Sequence, residues 1–286
     1  MKLATIAHDG GRGPGLVDPS GRSVTPLACA SMLELIERAA EGQAFPQLAA
    51  TALPLAQVRL CAPLPSPRRG LFCVGRNYRA HATELAGTVF RPGGEPEEWP
   101  IVFTKLAESV VGPTDDIELP IAISAQIDYE AELAVIISRR GRNIDRAHAR
   151  EHIFGYTITN DVTARDVQMR HQQWDLGKSF DTFCPTGPWI VTADELDVSD
   201  IHVRCFVNGE LRQDASTAQM IFDIPTLIET CSRGITLYPG DIICTGTPVG
   251  VGMGMKPPRF LSPGDVVRVE IDGIGAIQNA ATVCRR

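Results

Sequence analysis

Tyr129-Glu130-Ala131-Glu132-Leu133-Ala134-Val135-Ile136-Ile137 places two carboxylates two residues apart at the head of an apolar run. Read as a β-strand, the run alternates faces, so Glu130 and Glu132 point the same way. Two neighbouring carboxylates repel, and burying them is costly unless a cation or a shared proton offsets the charge. Asn160-Asp161 follows a second apolar run, Ile153 to Ile158, and offers a third carboxylate. Three oxygen donors with no clustered Cys or His suit a hard cation such as Mg²⁺ or Mn²⁺. The competing reading is a wet edge strand with two surface glutamates, since acidic side chains are usually exposed. The pair alone does not separate the two.

The rest of the chain bounds the setting. Its 286 residues allow one large domain or two smaller ones. A hydrophobic content of 44% and a charged content of 21% are those of a globular protein with a core. The net charge of −7 and a pI near 5.4 argue against broad nucleic-acid binding, which needs a basic face. Eight cysteines form no C-x-x-C pair, and most sit in apolar runs. Buried reduced thiols, and with them a cytoplasmic location, are the expectation. The N-terminus lacks the apolar core of a signal peptide, and no apolar run reaches about 20 residues, so no membrane span is expected.

Local signals point to mixed β structure. Residues 2–8 read as a strand. Ser31-Met32-Leu33-Glu34 is a capping box opening a helix with Met32, Leu35, Ile36 and Ala39 on one face and Gly42 at its end. Residues 62–70, rich in Pro and Arg, read as a linker between a small N-terminal domain, 1–66, and a main domain, 67–286. Val207-Asn208-Gly209-Glu210 signals a type I′ hairpin. Asp223 caps one further helix, with Ile224, Leu227, Ile228 and Cys231 on a shared face. No βαβ rhythm is present, which excludes a doubly wound sheet. Gly250, Gly252 and Gly254 do not open a helix after a strand, so a nucleotide-binding reading is discounted. Residues 88–100 read as a long surface loop.

Several side chains carry possible chemistry. His81 and Glu84 are three apart, neighbours on a helical turn, and a carboxylate beside an imidazole orients it. Taken singly, such a dyad is more often a surface polar pair. Arg165 can pair with Asp166 or grip a substrate carboxylate. Lys178, between Gly177 and Ser179-Phe180, is either solvated or directed inward. Thr245-Gly246-Thr247-Pro248 ends a strand with hydroxyls and N–H groups at a turn.

The motifs G-R-N-Y-x-x-H-x-x-E, F-T-K, Y-E-A-E, N-D-V-T-A-R-D-V-Q, K-S-F-D and T-G-T-P-x-G-V-G occur in this order between about residues 54 and 280. Together they resemble the fumarylacetoacetate hydrolase superfamily, in its acylpyruvase-like and 2-hydroxyhepta-2,4-diene-1,7-dioate isomerase-like branch. The resemblance implies a mixed β (α+β) fold, a β-roll catalytic domain with a small N-terminal α+β domain. It implies Glu130, Glu132 and Asp161 as ligands of Mg²⁺ or Mn²⁺, and His81 with Glu84 as a water-activating dyad on a segment that orders with substrate. It implies Lys178 as a catalytic lysine, and Arg165, Gln168, Lys105 and Thr247 as substrate contacts. Lys105 is often followed by Pro in the family; Leu106 stands here. Phe72 to Arg76 holds no fourth carboxylate, which fits a three-carboxylate site. A homodimer acting on a small anionic 2-oxo acid is also implied.

That site suits cleavage between C3 and C4 of a 2,4-dioxo acid, with the metal stabilising a pyruvate enolate and His81 activating water. C–C bond hydrolysis is therefore the expected reaction. The same enolate arises in oxaloacetate decarboxylation and in keto–enol or double-bond isomerisation, so a lyase or isomerase of aromatic-compound breakdown is the alternative. A non-catalytic metal- or acid-binding protein is the rival of another class, opposed by the retention of dyad and ligands together.

Overall fold

The structure is a computed structural model and describes residues 1–8, 11–49, 51–84, 98–170 and 173–284. The expected 88–100 loop lies largely outside the described residues. The architecture is mixed α+β, as expected, built on one 12-stranded sheet and one five-stranded sheet.

Ala131–Ile137 is an interior strand of the larger sheet. It lies antiparallel to Ile153–Asn160 on one side and to Ile242–Cys244 on the other. Every residue in it is buried, which removes the wet-edge reading. Its two faces meet different partners. Leu133, Val135 and Ile137 join the core formed with Val203, Cys205, Val267 and Val269 of the smaller sheet. Ala134 and Ile136 join a second core with Met32, Leu35 and Ile36 of the N-terminal helix. A strand buried on both faces needs a continuous apolar run, which is why alternation is lost after Glu132. Each buried Leu, Val or Ile contributes about 1.5–3 kcal/mol of transfer free energy. That helps to offset the charges desolvated at the strand's head.

The local signals are realised. Met32–Ala40 is a helix whose Ser31 cap accepts from the Glu34 N–H, with Gly42 left-handed just past its end. Asn208 and Gly209, both at positive φ, join strands His202–Val207 and Glu210–Ser216. Ile224–Ser232 is a helix capped by Asp223. In the Pro- and Arg-rich segment, Ala62, Pro63 and Leu64 are buried. Arg69 there pairs with the buried Asp241. Strand Lys2–His8 pairs with Cys184–Thr192, so the N-terminal strands continue the larger sheet. Among the described residues, no helix is long and apolar enough to cross a membrane. No disulfide joins any of the eight cysteines among the described residues, and five are buried.

Candidate active site

Sheet register assembles three carboxylates. Ala131 faces Asn160 across the antiparallel pair. The Asn160 side chain accepts from the Glu130 N–H at 3.0 Å, and the Glu130 carbonyl accepts from the Asp161 N–H at 2.8 Å. Asp161 is thereby fixed beside the strand that carries Glu130 and Glu132. One oxygen from each of the three lies within 4.8 Å of the others, and all three residues are buried.

Cations surround this cluster unevenly. Lys178 Nζ is 2.7 Å from both Glu130 Oε2 and Asp161 Oδ2. Arg165 lies 2.7 Å from Glu130 Oε1 through Nη2 and 2.9 Å from Asp128 Oδ2 through Nε, while its Nη1 donates to Gln168. Lys105 is wholly buried and donates to Asp161 Oδ1 at 2.7 Å, to the Val162 carbonyl at 3.1 Å and to the Lys178 carbonyl. Glu132 instead accepts the neutral Gly246 N–H at 2.9 Å.

The electrostatics follow that asymmetry. Burial raises the Glu130 carboxyl, but Lys178 and Arg165 outweigh it and hold the group down at about 2. Burial lifts Glu132 well above the carboxylate range, and the charges of Asp161, Cys244 and Glu130 push it further. Four buried carboxylates, with Asp128, face three buried cations, Lys105, Arg165 and Lys178. Glu132 is the one of the four that no lysine or arginine pairs with among the described residues, and its ionised form would carry the charge left over. An oxygen-only donor set with an uncompensated buried charge fits a hard divalent cation.

The dyad closes over the same place. The short helix Arg79–Glu84 carries both residues, with His81 Nδ1 3.0 Å from Glu84 Oε2. A carboxylate only accepts, so in the neutral imidazole Nδ1 holds the proton and Nε2 is the basic nitrogen. Glu84 also accepts from the Gly250 N–H at 3.1 Å. His81, Glu130, Glu132, Arg165, Gln168, Lys178 and Thr247 line one cleft.

Lys105 does not line that cleft. An ammonium has three donors, and all three are engaged by protein oxygens, so Lys105 braces Asp161 and the Lys178 backbone. Leu106, at the place where the family often has proline, uses its N–H to hold Ser179 Oγ at 3.0 Å, a bond proline cannot make. Thr247 donates to the Ala131 carbonyl at 3.0 Å and accepts from Gln213 at 2.8 Å. Arg165 pairs with Asp128 rather than with its neighbour Asp166.

Asp128 was missed in the sequence. It accepts from Arg165, Tyr129, Gly252 and Met253 at 2.7–2.9 Å. The available signal was the continuation of the two-residue spacing backwards from Glu132 through Glu130. Arg76, Phe103 and Trp174 also line the cleft, and the Phe103 ring lies 5.0 Å beneath Lys178 Nζ.

Comparison with known proteins places this geometry. Residues 70–282 match the family described as fumarylacetoacetate (FAA) hydrolase C-terminal. The chain is 48% identical over 226 residues to oxaloacetate tautomerase YisK of Bacillus subtilis, covering 79% of this chain and 73% of that protein. A fumarylacetoacetate hydrolase structure from Exiguobacterium antarcticum superposes with a TM-score of 0.87 at 43% identity, covering 99% and 100% of the two chains. The structure of a 2-hydroxyhepta-2,4-diene-1,7-dioate isomerase from Mycobacterium marinum gives 0.80 at 35% identity, over 100% of each chain. Expected C–C bond hydrolysis is corrected by the curated relatives, which at 43–48% identity are oxaloacetate tautomerases. Cleft, carboxylates and dyad are thus set in a sequence and fold shared over most of the chain, which belongs to the fumarylacetoacetate hydrolase family.

Proposed function

We propose that the chain is a divalent-metal-dependent tautomerase of a small 2-oxo diacid, interconverting the keto and enol forms of oxaloacetate. The observation that carries this reading is the convergence of the His81–Glu84 dyad and the three-carboxylate cluster on one cleft. Tautomerase relatives at 43–48% identity supply the reaction class.

Mg²⁺ or Mn²⁺ held by Glu130, Glu132 and Asp161 would polarise the 2-oxo acid as a Lewis acid and favour negative charge on its keto oxygen. His81 Nε2 takes a proton from C3, and the keto oxygen gains one; the reverse transfer restores the ketone. No bond between carbons breaks and no water is consumed. Glu84 holds the imidazole in the orientation and tautomer that leave Nε2 to accept the proton. Lys178 adds positive charge at the enol oxygen. Arg76 in the cleft wall adds positive charge for a second carboxylate.

A second reading, double-bond isomerisation of an unsaturated 2-oxo diacid, is favoured by the isomerase neighbour. It needs the same proton removal with return at a more distant carbon. We include in the proposal the division of the chain at 66/67, a homodimer, and a reducing, cytoplasmic setting suited to cysteines that form no disulfide.

The test is direct. Purified protein with Mg²⁺ is given enol-oxaloacetate, and the enol absorbance is followed against a protein-free control. Acceleration requiring the metal supports the tautomerase. Turnover of 2-hydroxyhepta-2,4-diene-1,7-dioate alone selects the second reading. No acceleration with either sinks both.

A further inference from the structure

Trp174 and Gly75 meet at the wall of the cleft. A Cβ on Gly75 would lie 2.5 Å from Trp174 Cζ3 and 3.0 Å from Cη2, so the indole occupies the space that a side chain at residue 75 would need. An indole is large and rigid, with two rotatable bonds, and does not yield as the end of a flexible chain does. Gly75 ends the strand Leu71–Gly75, which pairs with Ile101–Lys105. That second strand supplies Phe103, whose ring meets the indole edge-on with centroids 5.2 Å apart. It also anchors the indole's own segment: Asp175 Oδ1 accepts from the Thr104 hydroxyl at 2.5 Å and from the Thr104 N–H at 3.2 Å. Two rings and a glycine thus make a fixed wall.

The wall stands apart from the carboxylates. Phe103 lies between them, with Lys178 Nζ 5.0 Å from its ring, and that ammonium is 2.7 Å from Glu130 and Asp161. Among the described residues lining the cleft, Val74, Phe103 and Trp174 are the apolar side chains. The empty volume is about 360 Å³, open mouth included, at the low end of the roughly 300–1,000 Å³ usual for small-molecule pockets. A 2-oxo acid held at the carboxylates by its C1 and C2 oxygens varies in what it carries beyond C3. Sites discriminate by clashing with the wrong ligand as well as by attracting the right one.

We propose that Trp174 is a specificity-determining residue: its indole, seated on Gly75 and buttressed by Phe103, limits the group beyond C3, admitting a four-carbon 2-oxo diacid and excluding longer or bulkier chains. This rests on the reading of the cleft as a 2-oxo acid site. It deepens that reading by favouring oxaloacetate over the seven-carbon dienedioate.

The test uses oxamate and N-cyclohexyloxamate, each titrated calorimetrically into Mg²⁺-loaded protein. Both keep the carboxylate and adjoining carbonyl of a 2-oxo acid and carry nitrogen at the C3 position, so they bind without reacting. The cyclohexyl ring adds bulk and cannot stack on an indole. Wild type should bind oxamate more tightly than N-cyclohexyloxamate. Trp174→Ala should narrow that ratio by about 10-fold or more, through a gain in affinity for the bulky ligand. Trp174→Leu keeps an apolar side chain against Phe103 and should narrow the ratio too, which carries the test if the alanine variant does not fold. A ratio unchanged by either substitution overturns the inference, and so does one narrowed only by weaker oxamate binding. Wild type that binds both ligands alike has no such wall, and the inference fails while the 2-oxo acid reading stands. If wild type binds neither, the 2-oxo acid reading fails and takes the inference with it.

Discussion

Lys178 Nζ stands equidistant, at 2.7 Å, from Glu130 Oε2 and Asp161 Oδ2, and so fills the gap between two of the three clustered carboxylates. Burial alone would lower the lysine's pKa, but Asp161 and Glu130 outweigh it and keep the ammonium charged. Removing one partner of a buried ion pair commonly costs about 3–5 kcal/mol, because the other charge stays buried and unpaired. Lys178→Met should therefore lower the metal-free stability by about that amount in urea unfolding. Saturating Mg²⁺ should restore more stability in the variant than it adds to wild type, since the cation then relieves a larger repulsion. An unchanged urea midpoint would show that the lysine is not what compensates the pair.

Glu132 gives a pH dependence of definite sign. Burial, and then the neighbouring charge of Asp161, raise its folded pKa well above the usual 4.5, so folding favours the protonated form. The stability this group contributes is full below about 4.5 and is lost as pH rises toward the folded value. Glu130, held at about 2, acts oppositely: its contribution is present above 4.5 and is lost as pH falls toward 2. Metal-free protein should thus lose stability from Glu132 as pH climbs from about 5. Divalent metal should restore it, since cation binding needs the ionised group. Binding of Mg²⁺ near neutral pH should release a proton, seen as a binding enthalpy that varies with the ionisation enthalpy of the buffer. A buffer-independent enthalpy would rule this out.

Gly254 should matter to the dyad through its missing side chain. A Cβ there would lie 2.2 Å from Glu84 Cδ, so Gly254→Ala must displace the carboxylate that orients His81. His81→Ala should lower kcat by about 10²–10⁴-fold, the usual worth of general acid–base help. Gly254→Ala should lose a substantial part of that factor. Both should bind Mg²⁺ as wild type does, because neither touches the carboxylate cluster. A Gly254→Ala enzyme with wild-type kcat would mean that Glu84 holds His81 from another position equally well.

The carboxylate cluster was legible because it combines a local spacing with a local context: two glutamates on one face, followed by a run that only a doubly buried strand explains. The hairpin at Asn208-Gly209 and the caps at Ser31 and Asp223 were legible for the same reason, each being a short-range rule. Lys105 shows where such rules stop. Its sequence says only that a lysine ends a strand; that all three donors turn to Asp161, Val162 and Lys178 depends on segments 56–73 residues away. The glycines at 250–254 do not open an α-helix after a strand, and their amides turn to side chains far away in sequence. Their amides serve Asp128 and Glu84 across 124 and 166 residues, a pairing no local pattern encodes. The reaction was the least legible part. Hydrolysis, decarboxylation and tautomerisation share the enolate, and the residues that make an enolate are the ones the motifs contain.

Asp128 carries the strongest prediction about a residue outside the motifs. Its Oδ1 accepts from the Tyr129 and Gly252 N–H groups, and its Oδ2 from Arg165 Nε and the Met253 N–H. Asparagine is nearly isosteric, yet its amide would turn an NH₂ toward donors and remove the charge that Arg165 meets. Hydrogen bonds to charged groups are worth about 1.5–3 kcal/mol, so Asp128→Asn should destabilise the fold by roughly that amount. Arg165 would keep its contacts to Glu130 and Gln168 but lose its Nε anchor, so kcat/KM should also fall. Asp166→Asn is the control. Asp166 adjoins Arg165 in sequence but bonds Ser124 and the Val167 N–H instead, and its replacement should leave kcat/KM near wild type. If Asp166→Asn proved the more damaging to kcat/KM, the anchor of Arg165 would have been assigned to the wrong carboxylate.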